Sequence, residues 1–333
     1  MNKTTDLGQE PFGIRRAAIN ALVMAATILA ALMVSLCSMA QTPEEWEQLK
    51  GDINIYLAND LGRNGYYDQK NIAELMGLMA ETIGPECVVA AGDIHHFYGI
   101  ASVDDPLWTT NYELIYSHPE LMIQWYPILG NHEYRGNTQA FLDYGLKSRR
   151  WISDGGRYYS KVFADDSVSL RIILIDTTPL IDRYRVDGDT YPDAGKQEIE
   201  PQMEWLDKTL SEAKEDWVIV VGHHPIYAQT PKLEDERRDM QRVVLPILKR
   251  HDNVALYASG HIHNFQHIEM PGDGIKYVVN SSASKGREVE PVEGTVFCSP
   301  EPGFAIIAAS ADSLKLHMIN PEGKAIHTIS IGR

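Results

Sequence analysis

Short apolar runs alternate with amphipathic segments along most of the chain. Ile53–Ala58 and Cys87–Ala91 are apolar runs of strand length, and Gln69–Ile83 between them carries apolar residues at helical spacing. A strand, a helix and a second strand in this order predict a βαβ unit, because parallel strands need a crossover connection that a helix can supply. This stretch therefore indicates an α/β fold.

The same alternation continues to Gln266 and then gives way to strands separated by glycine and proline turns. Further strands are predicted at 122–129, 170–175, 217–221 and 254–258, and helices at 202–213 and 240–249. The strand-rich end is predicted to hold strands at 266–270, 275–279, 304–309, 314–318 and 325–331. Neither a repeat nor a linker rich in glycine and serine divides the sequence, so we expect one domain after the first forty residues.

The first forty residues have the pattern of an export signal. Basic residues precede an apolar run from Ala17 to Leu36, and Ser38-Met39-Ala40 then places small residues at the −3 and −1 positions of a cleavage site. We predict a signal peptide over 1–40, a mature domain over 41–333, and a periplasmic or secreted location. The alternatives are an uncleaved anchor, since about 20 apolar residues can span a bilayer, and a lipoprotein with its lipid on Cys37.

Composition narrows the class of protein. The chain has 333 residues, 44% hydrophobic and 23% charged, which is typical of a globular protein and excludes disorder, collagen and coiled coil. Its net charge of −16 argues against a partner bound through nucleic-acid phosphates. An anionic substrate would need local positive charge, such as a metal ion. Beyond the signal, Cys87 is predicted to be a buried thiol, with a disulfide to Cys298 as the less favoured alternative.

Five loops that follow predicted strands carry aspartate, asparagine or histidine. In chain order they are Asn59-Asp60-Leu61-Gly62, Gly92-Asp93-Ile94-His95-His96, Gly130-Asn131-His132-Glu133, Gly222-His223-His224-Pro225 and Gly260-His261-Ile262-His263. Loops at the carboxyl ends of strands in an open α/β sheet converge on one crevice. One such loop alone is usually only a turn, but five in order predict a metal site. Imidazoles beside carboxylates suit iron and borderline divalent metals, whereas magnesium or calcium alone would rely on oxygen ligands.

This series of motifs resembles the calcineurin-like metallophosphoesterase superfamily and, within it, the small purple, or tartrate-resistant, acid phosphatases. The stretches Tyr134-Arg135-Gly136-Asn137, Leu174-Ile175-Asp176-Thr177 and Glu204-Trp205-Leu206 share the likeness. The resemblance implies an α/β fold of four layers, an α/β/β/α sandwich, and a hydrolase with two metal ions, Fe, Zn or Mn, as cofactors. It also implies a small phosphorylated substrate. We expect no nucleic-acid partner, no membrane contact beyond the N-terminal segment, and a monomer.

The resemblance also assigns a role to each candidate ligand. Asp93 would bridge the two metals, with Asp60 and His263 on the first. The second metal would be completed by Asn131, His223 and His261. His132 would face the substrate phosphate and stabilise charge or protonate the leaving oxygen. Two metals about 4 Å apart can clamp a phosphoryl group and supply a hydroxide for in-line attack.

This chain departs from the family at the first metal. Purple enzymes have a tyrosine three residues after the second-motif aspartate, where it binds ferric iron and produces the colour, but here that position is His96. Other relatives have a histidine two residues after the first aspartate, where this chain has Gly62. We infer that His96 supplies the missing ligand, with Tyr98 as the alternative, and that the enzyme is colourless.

Three other features have mainly structural interpretations. The aromatic residues between Trp108 and Tyr126 are predicted to belong to the core rather than to a base-stacking platform. The charged run 232–242 is predicted to be the solvated start of a helix, or an insertion that shapes access to the site. Glu133 is interpreted as a structural residue or one that holds a ligating side chain, and His224 as an outer partner that orients a ligand.

Three functions fit these residues. The favoured one is an exported phosphomonoesterase. A phosphodiesterase or nucleotidase on the same fold would use the same attack on phosphorus, so the metal ligands alone do not separate the two. The third is a metal- or phosphate-binding protein without turnover, against which the retention of a ligand type in every motif argues.

Overall fold

A computed structural model describes Met24 and residues 43–154, 156–230 and 234–333. Apart from Met24, the predicted signal segment, including Cys37 and the cleavage site after Ala40, lies outside the described residues, as does the beginning of the charged run at Lys232. Among the described residues, no helix has the length and apolar character needed to cross a membrane.

The first sheet holds six strands. They are β1 (Ile53–Ala58), β2 (Cys87–Ala91), β3 (Gln124–Ile128), β11 (Phe304–Ala309), β12 (Ser313–Ile319) and β13 (Ala325–Gly332). Their order across the sheet is β13-β12-β11-β1-β2-β3. β1, β2 and β3 run parallel, and the helix Gln69–Ile83 makes the predicted crossover from β1 to β2. The other three strands join antiparallel at the β1 edge.

The second sheet holds seven strands. They are β4 (Tyr159–Ala164), β5 (Ser169–Leu174), β6 (Trp217–Val221), β7 (Val254–Ser259), β8 (Phe265–Ile268), β9 (Lys276–Val279) and β10 (Thr295–Ser299). Their order is β10-β8-β9-β7-β6-β5-β4. β5, β6, β7 and β9 run parallel, and β4, β8 and β10 pair antiparallel.

Alternate residues of the strands face two different parts of the core. Ile55 and Leu57 of β1 pack in one cluster with Leu170 and Ile172 of β5, which places that cluster between the sheets. The residues between them, such as Tyr56, point to the other face of the sheet and pack with the helices. Because strands covered on both faces bury every side chain, they appear in the sequence as continuous apolar runs. The predicted α/β class is confirmed, with two sheets facing each other and helices on their outer sides.

The described helices are short except for two. They are Pro43–Glu47, Gln69–Ile83, Thr138–Leu142, Asp182–Val186, Glu200–Glu212, Glu234–Val243 and Leu245–Leu248. Single helical turns lie at Thr109–Glu113, Pro119–Leu121, Glu133–Arg135, Asp143–Leu146, Thr178–Leu180 and Ala194–Lys196. The single helix predicted over 240–249 is wrong: the helix ends at Val243 and a new one begins at Leu245, with Pro246 in its first turn, where a missing N–H is tolerated.

The aromatic cluster and Cys87 are buried, as the sequence analysis predicted. Trp108, Tyr112 and Trp125 are fully buried in the core, which confirms the structural interpretation of that cluster. Cys87 is buried between the sheets, and neither it nor Cys298 is in a disulfide.

Candidate metal centre

The candidate ligands lie at the carboxyl ends of parallel strands from both sheets. Asp60, Asp93 and Asn131 follow the parallel strands β1, β2 and β3 of the first sheet, and His223 follows β6 of the second. The loop after β7 carries the remaining pair, His261 and His263. All six side chains are buried. Six of the seven predicted ligands therefore lie buried at the strand ends, and the seventh, His96, follows Asp93 in the same loop.

The first group of ligands joins Asp60, His96 and His263. Each offers one atom, and these atoms lie within 4.8 Å of one another. Asp60 Oδ1 is 3.0 Å from His263 Nε2 and 4.0 Å from His96 Nε2. Both ring nitrogens of His96 are buried without a hydrogen-bond partner among the described residues. The alternative candidate Tyr98 is 77% exposed and outside this group.

Asp93 connects this group to the second. Its Oδ2 lies 3.2 Å from His223 Nε2, 3.6 Å from His96 Nε2 and 3.8 Å from His132 Nε2. Asp60, Asp93 and His223 also form a group whose donor atoms lie within 4.8 Å of one another. Asp93 thus stands where a carboxylate can serve two ions.

His261 is oriented by a residue that the sequence interpretation missed. His261 Nε2 lies 2.9 Å from Glu236 Oε2, which leaves Nδ1 as the ring nitrogen available to a metal. Glu236 is only 2% exposed, so the solvated interpretation of the charged run is wrong at this residue. The sequence could have indicated this burial, because Glu236 precedes the buried Met240 by one helical turn and lies on the same face of the helix.

His224 adds a third imidazole on this side. One ring nitrogen each of His223, His224 and His261 lie within 4.8 Å of one another. His224 Nδ1 is 2.8 Å from the hydroxyl of Thr177, and its Nε2 is buried with no hydrogen-bond partner among the described residues. Burial and the nearby histidines hold the pKa of His224 well below its usual value, so the ring is neutral.

Asn131 and His132 complete the centre. Asn131 Oδ1 is buried without a hydrogen-bond partner in the described part of the chain. The backbone N–H of His132 donates to Asp93 Oδ1 at 2.9 Å, and its ring Nδ1 lies 2.7 Å from the carbonyl oxygen of Phe97. A carbonyl can only accept, so Nδ1 carries the hydrogen and Nε2 faces the centre.

Glu133 holds the loop that carries Asp93. Its two carboxylate oxygens accept hydrogen bonds from the backbone N–H groups of Asp93, Ile94, His95 and Gly130, at 2.8 to 3.1 Å. Burial and the Asp93 charge raise the pKa of Glu133 to about 7, and the N–H donors act in the opposite direction. This geometry supports the interpretation of Glu133 as a residue that positions a ligand.

The backbone at four candidate ligands is left-handed. Asp60, Asp93, His261 and His263 have φ angles of 51°, 55°, 69° and 68°. Non-glycine residues rarely adopt this conformation, and they do so mainly where the surrounding structure imposes it for function. Gly130 is required for a different reason, because a Cβ there would lie 2.3 Å from Asp93 Oδ1.

The charged groups of the centre shift one another's pKa values. Burial alone would raise the pKa of Asp60, but the charge of His263, its hydrogen bond and the charge of His223 hold that pKa well below its usual value. Burial likewise disfavours protonation of His223, yet the Asp93 carboxylate raises the pKa of that imidazole to about 10. A metal ion bound here would supply positive charge to these carboxylates.

The donors therefore fit metal ions. Buried carboxylates and imidazoles converge, and the buried amide oxygen of Asn131 lies in the loop after β3. Several of these atoms lack any other partner among the described residues. Imidazole and carboxylate together suit zinc, manganese and iron. The fold and the site define an α/β protein with a candidate centre for metal ions at its strand ends.

Comparison with known proteins specifies the family. The chain matches the model of the calcineurin-like phosphoesterases over residues 53–265. It is 30% identical to purple acid phosphatase 4 of Arabidopsis thaliana over 290 residues, 83% of each chain. It is 27% identical to tartrate-resistant acid phosphatase type 5 of Oryctolagus cuniculus over 216 residues, 64% of this chain and 65% of the relative.

Among solved structures, the fold is shared with GAP50, described as the anchor in the inner membrane complex of Plasmodium. The TM-score is 0.70 at 23% identity, with 84% of this chain and 88% of that chain covered. The protein belongs to the calcineurin-like phosphoesterase family, whose members are hydrolases with a dinuclear metal centre.

Proposed function

We propose that this protein is an exported phosphomonoesterase that acts on small phosphorylated substrates. The observation that carries the proposal is the position of Asp93, whose Oδ2 lies within 3.8 Å of ring nitrogens of His96, His132 and His223. A carboxylate with imidazole nitrogens on both sides is suited to bridge a pair of metal ions.

The remaining donors divide between two metal positions. Asp60, His96 and His263 would hold one ion with Asp93. Asn131 Oδ1, His223 Nε2 and His261 Nδ1 would hold the other. An imidazole in place of the tyrosinate of purple relatives weakens the preference for ferric iron and favours zinc, manganese or ferrous iron. The protein is therefore expected to be colourless.

Metal ions held by these residues would polarise a phosphoryl group and lower the pKa of a water molecule. Hydrolysis forms a bond from the water oxygen to phosphorus and breaks the bond to the ester oxygen, giving inorganic phosphate and an alcohol. We propose that His132 serves this step, because the Phe97 carbonyl holds Nδ1 and Nε2 lies 3.8 Å from Asp93 Oδ2. When Nε2 also carries a hydrogen, this ring would stabilise charge on the phosphate or protonate the leaving oxygen.

Export is proposed from the pattern of residues 1–40. We propose a mature single domain over 41–333, periplasmic or secreted, that acts as a monomer. Sequencing the N-terminus of the protein recovered outside the cytoplasm tests this: Gln41 as first residue supports cleavage, whereas an intact N-terminus or a lipid on Cys37 contradicts it.

The test of the activity is hydrolysis of a chromogenic phosphate monoester and the matching diester. The protein from Gln41 to Arg333 would be loaded with iron, zinc or manganese and assayed across a pH series. A preference for the monoester supports the proposal. A preference for the diester assigns the protein to the phosphodiesterases, and two bound metals without hydrolysis of either ester point to a binding protein.

A further inference from the structure

Three exposed aromatic side chains surround a cavity beside the metal centre. Tyr66 is 72% exposed, Tyr67 60% and Phe97 58%. With Arg63, Asn64 and His96 they line a cavity of about 480 Å³. Since His96 is both a candidate ligand and a residue of the cavity wall, this cavity lies next to the centre. Exposed aromatic rings grouped at one cavity mark a binding surface more often than rings scattered singly.

Two cations lie over these rings. The Arg63 guanidinium is 4.9 Å from the centre of the Phe97 ring, and Lys285 Nζ is 4.6 Å from the centre of the Tyr67 ring. Arg63 Nε is buried and has no hydrogen-bond partner among the described residues. The whole chain has a net charge of −16. Arg63 and Lys285 therefore provide, beside these rings, the local positive charge that an anionic substrate needs.

Phe97 and Lys285 contact histidines of the centre through their backbone carbonyl oxygens. Phe97 directly follows His96, and its carbonyl oxygen contacts the ring of His132. The carbonyl oxygen of Lys285 lies 3.0 Å from His263 Nδ1. The Phe97 and His132 rings are 5.9 Å apart, so a group leaving from an oxygen beside His132 would lie against Phe97.

We propose that Arg63, Tyr66, Tyr67, Phe97 and Lys285 form a subsite for the leaving group, and that it selects an aromatic ring bearing a second anionic group. This inference rests on the proposed monoesterase function. The ring of the leaving group stacks on Phe97 and Tyr67, and its carboxylate or second phosphate pairs with Arg63 and Lys285. These residues determine specificity and do not take part in the hydrolysis itself.

The experiment compares three substrates with the metal-loaded full enzyme: 3-carboxyphenyl phosphate, phenyl phosphate and glycerol 3-phosphate. Ratios of kcat/KM between substrates are compared across variants, so that differences in intrinsic reactivity cancel. Lys285→Gln is expected to lower the ratio of the carboxylated to the plain aryl ester about fivefold. Phe97→Leu keeps the backbone carbonyl and is expected to lower the ratio of phenyl phosphate to glycerol phosphate about fivefold.

Two matched controls lie in the neighbouring cavity. Tyr98 is an exposed aromatic residue next to Phe97 in the sequence, and Lys196 is an exposed lysine, but both line a different cavity. Tyr98→Leu and Lys196→Gln are expected to leave both ratios within twofold of the native protein. Ratios that are equally unchanged in Phe97→Leu and Lys285→Gln would overturn the subsite.

Binding measurements separate failure of the subsite from failure of the proposed function. Phenylphosphonate and 3-carboxyphenylphosphonate are not hydrolysed, so calorimetry reports their Kd values whether or not the protein is an esterase. Absence of hydrolysis together with tighter binding of the carboxylated compound, reduced in Lys285→Gln, would reject the monoesterase and support the subsite. Equal Kd values for both compounds in the native protein would reject the subsite.

Discussion

Replacing Glu133 by glutamine tests how the loop carrying Asp93 is held. The carboxylate of Glu133 accepts four buried N–H groups, from Asp93, Ile94, His95 and Gly130. Glutamine retains one carbonyl oxygen, which can keep two of these bonds, and replaces the other oxygen by an NH₂ group that only donates. Two buried N–H groups then face a donor.

Each buried donor left without an acceptor costs about 1–3 kcal/mol, so the lost hydrogen bonds of Glu133→Gln cost about 2–6 kcal/mol. Removing a buried charge whose pKa is raised to about 7 returns about 3 kcal/mol at pH 8, so the net change is expected to lie between a gain of about 1 and a loss of about 3 kcal/mol. Urea denaturation at pH 8 with a chelator present measures this difference without a contribution from bound metal. Glu204→Gln, at an exposed helical position, is the matched control and is expected to change the value by less than about 0.5 kcal/mol. A Glu133→Gln variant about 3 kcal/mol more stable than the native protein would refute the reasoning, because that is the result expected when the charge is removed and no hydrogen bond is lost.

Three further predictions follow from individual side chains. His96→Tyr loaded with ferric iron should gain a visible absorption band that the native protein lacks; a spectrum without the band would show that position 96 does not reach the metal. Trp151→Ala should cost about 3–5 kcal/mol of the free energy of unfolding, because the ring is fully buried and its Nε1 donates to the Phe141 carbonyl, whereas Tyr98→Ala should cost less than about 0.5. Burial lowers the pKa of His317 to about 4 in the folded protein. Between about pH 6.5 and pH 4 this histidine is therefore protonated in the unfolded chain but not in the folded one, and the free energy of unfolding falls as the pH is lowered. His317→Gln should reduce that fall by up to about 1.4 kcal/mol per pH unit in urea titrations, and identical slopes would contradict the role of this histidine.

The sequence predicted the central strands well and the edge strands poorly. The predicted bounds of β1, β2 and β6 agree with the structure, because strands covered on both faces require unbroken apolar runs. β4 and β10 were missed. Both are edge strands of the second sheet with alternating or partly exposed side chains, so their sequences resemble loops.

In the site too, features that depend on the local sequence were predictable, and features that depend on contacts between distant segments were not. The loops that bring the candidate ligands together were predictable, since each one follows a recognisable strand. Glu236 was not identified, because its burial results from a contact with His261, which lies 25 residues further along the chain. The cations and rings of the proposed subsite also become neighbours only through the fold.

The most direct test of the account is the metal content and monoesterase activity of the native protein beside Asp93→Asn. Asparagine keeps the size of the side chain but removes the charge proposed to bridge the two ions. We predict two metal ions per native chain, fewer in the variant, and a loss of hydrolysis of at least about a hundredfold. Unchanged hydrolysis by Asp93→Asn would contradict a metal-catalysed reaction at this centre.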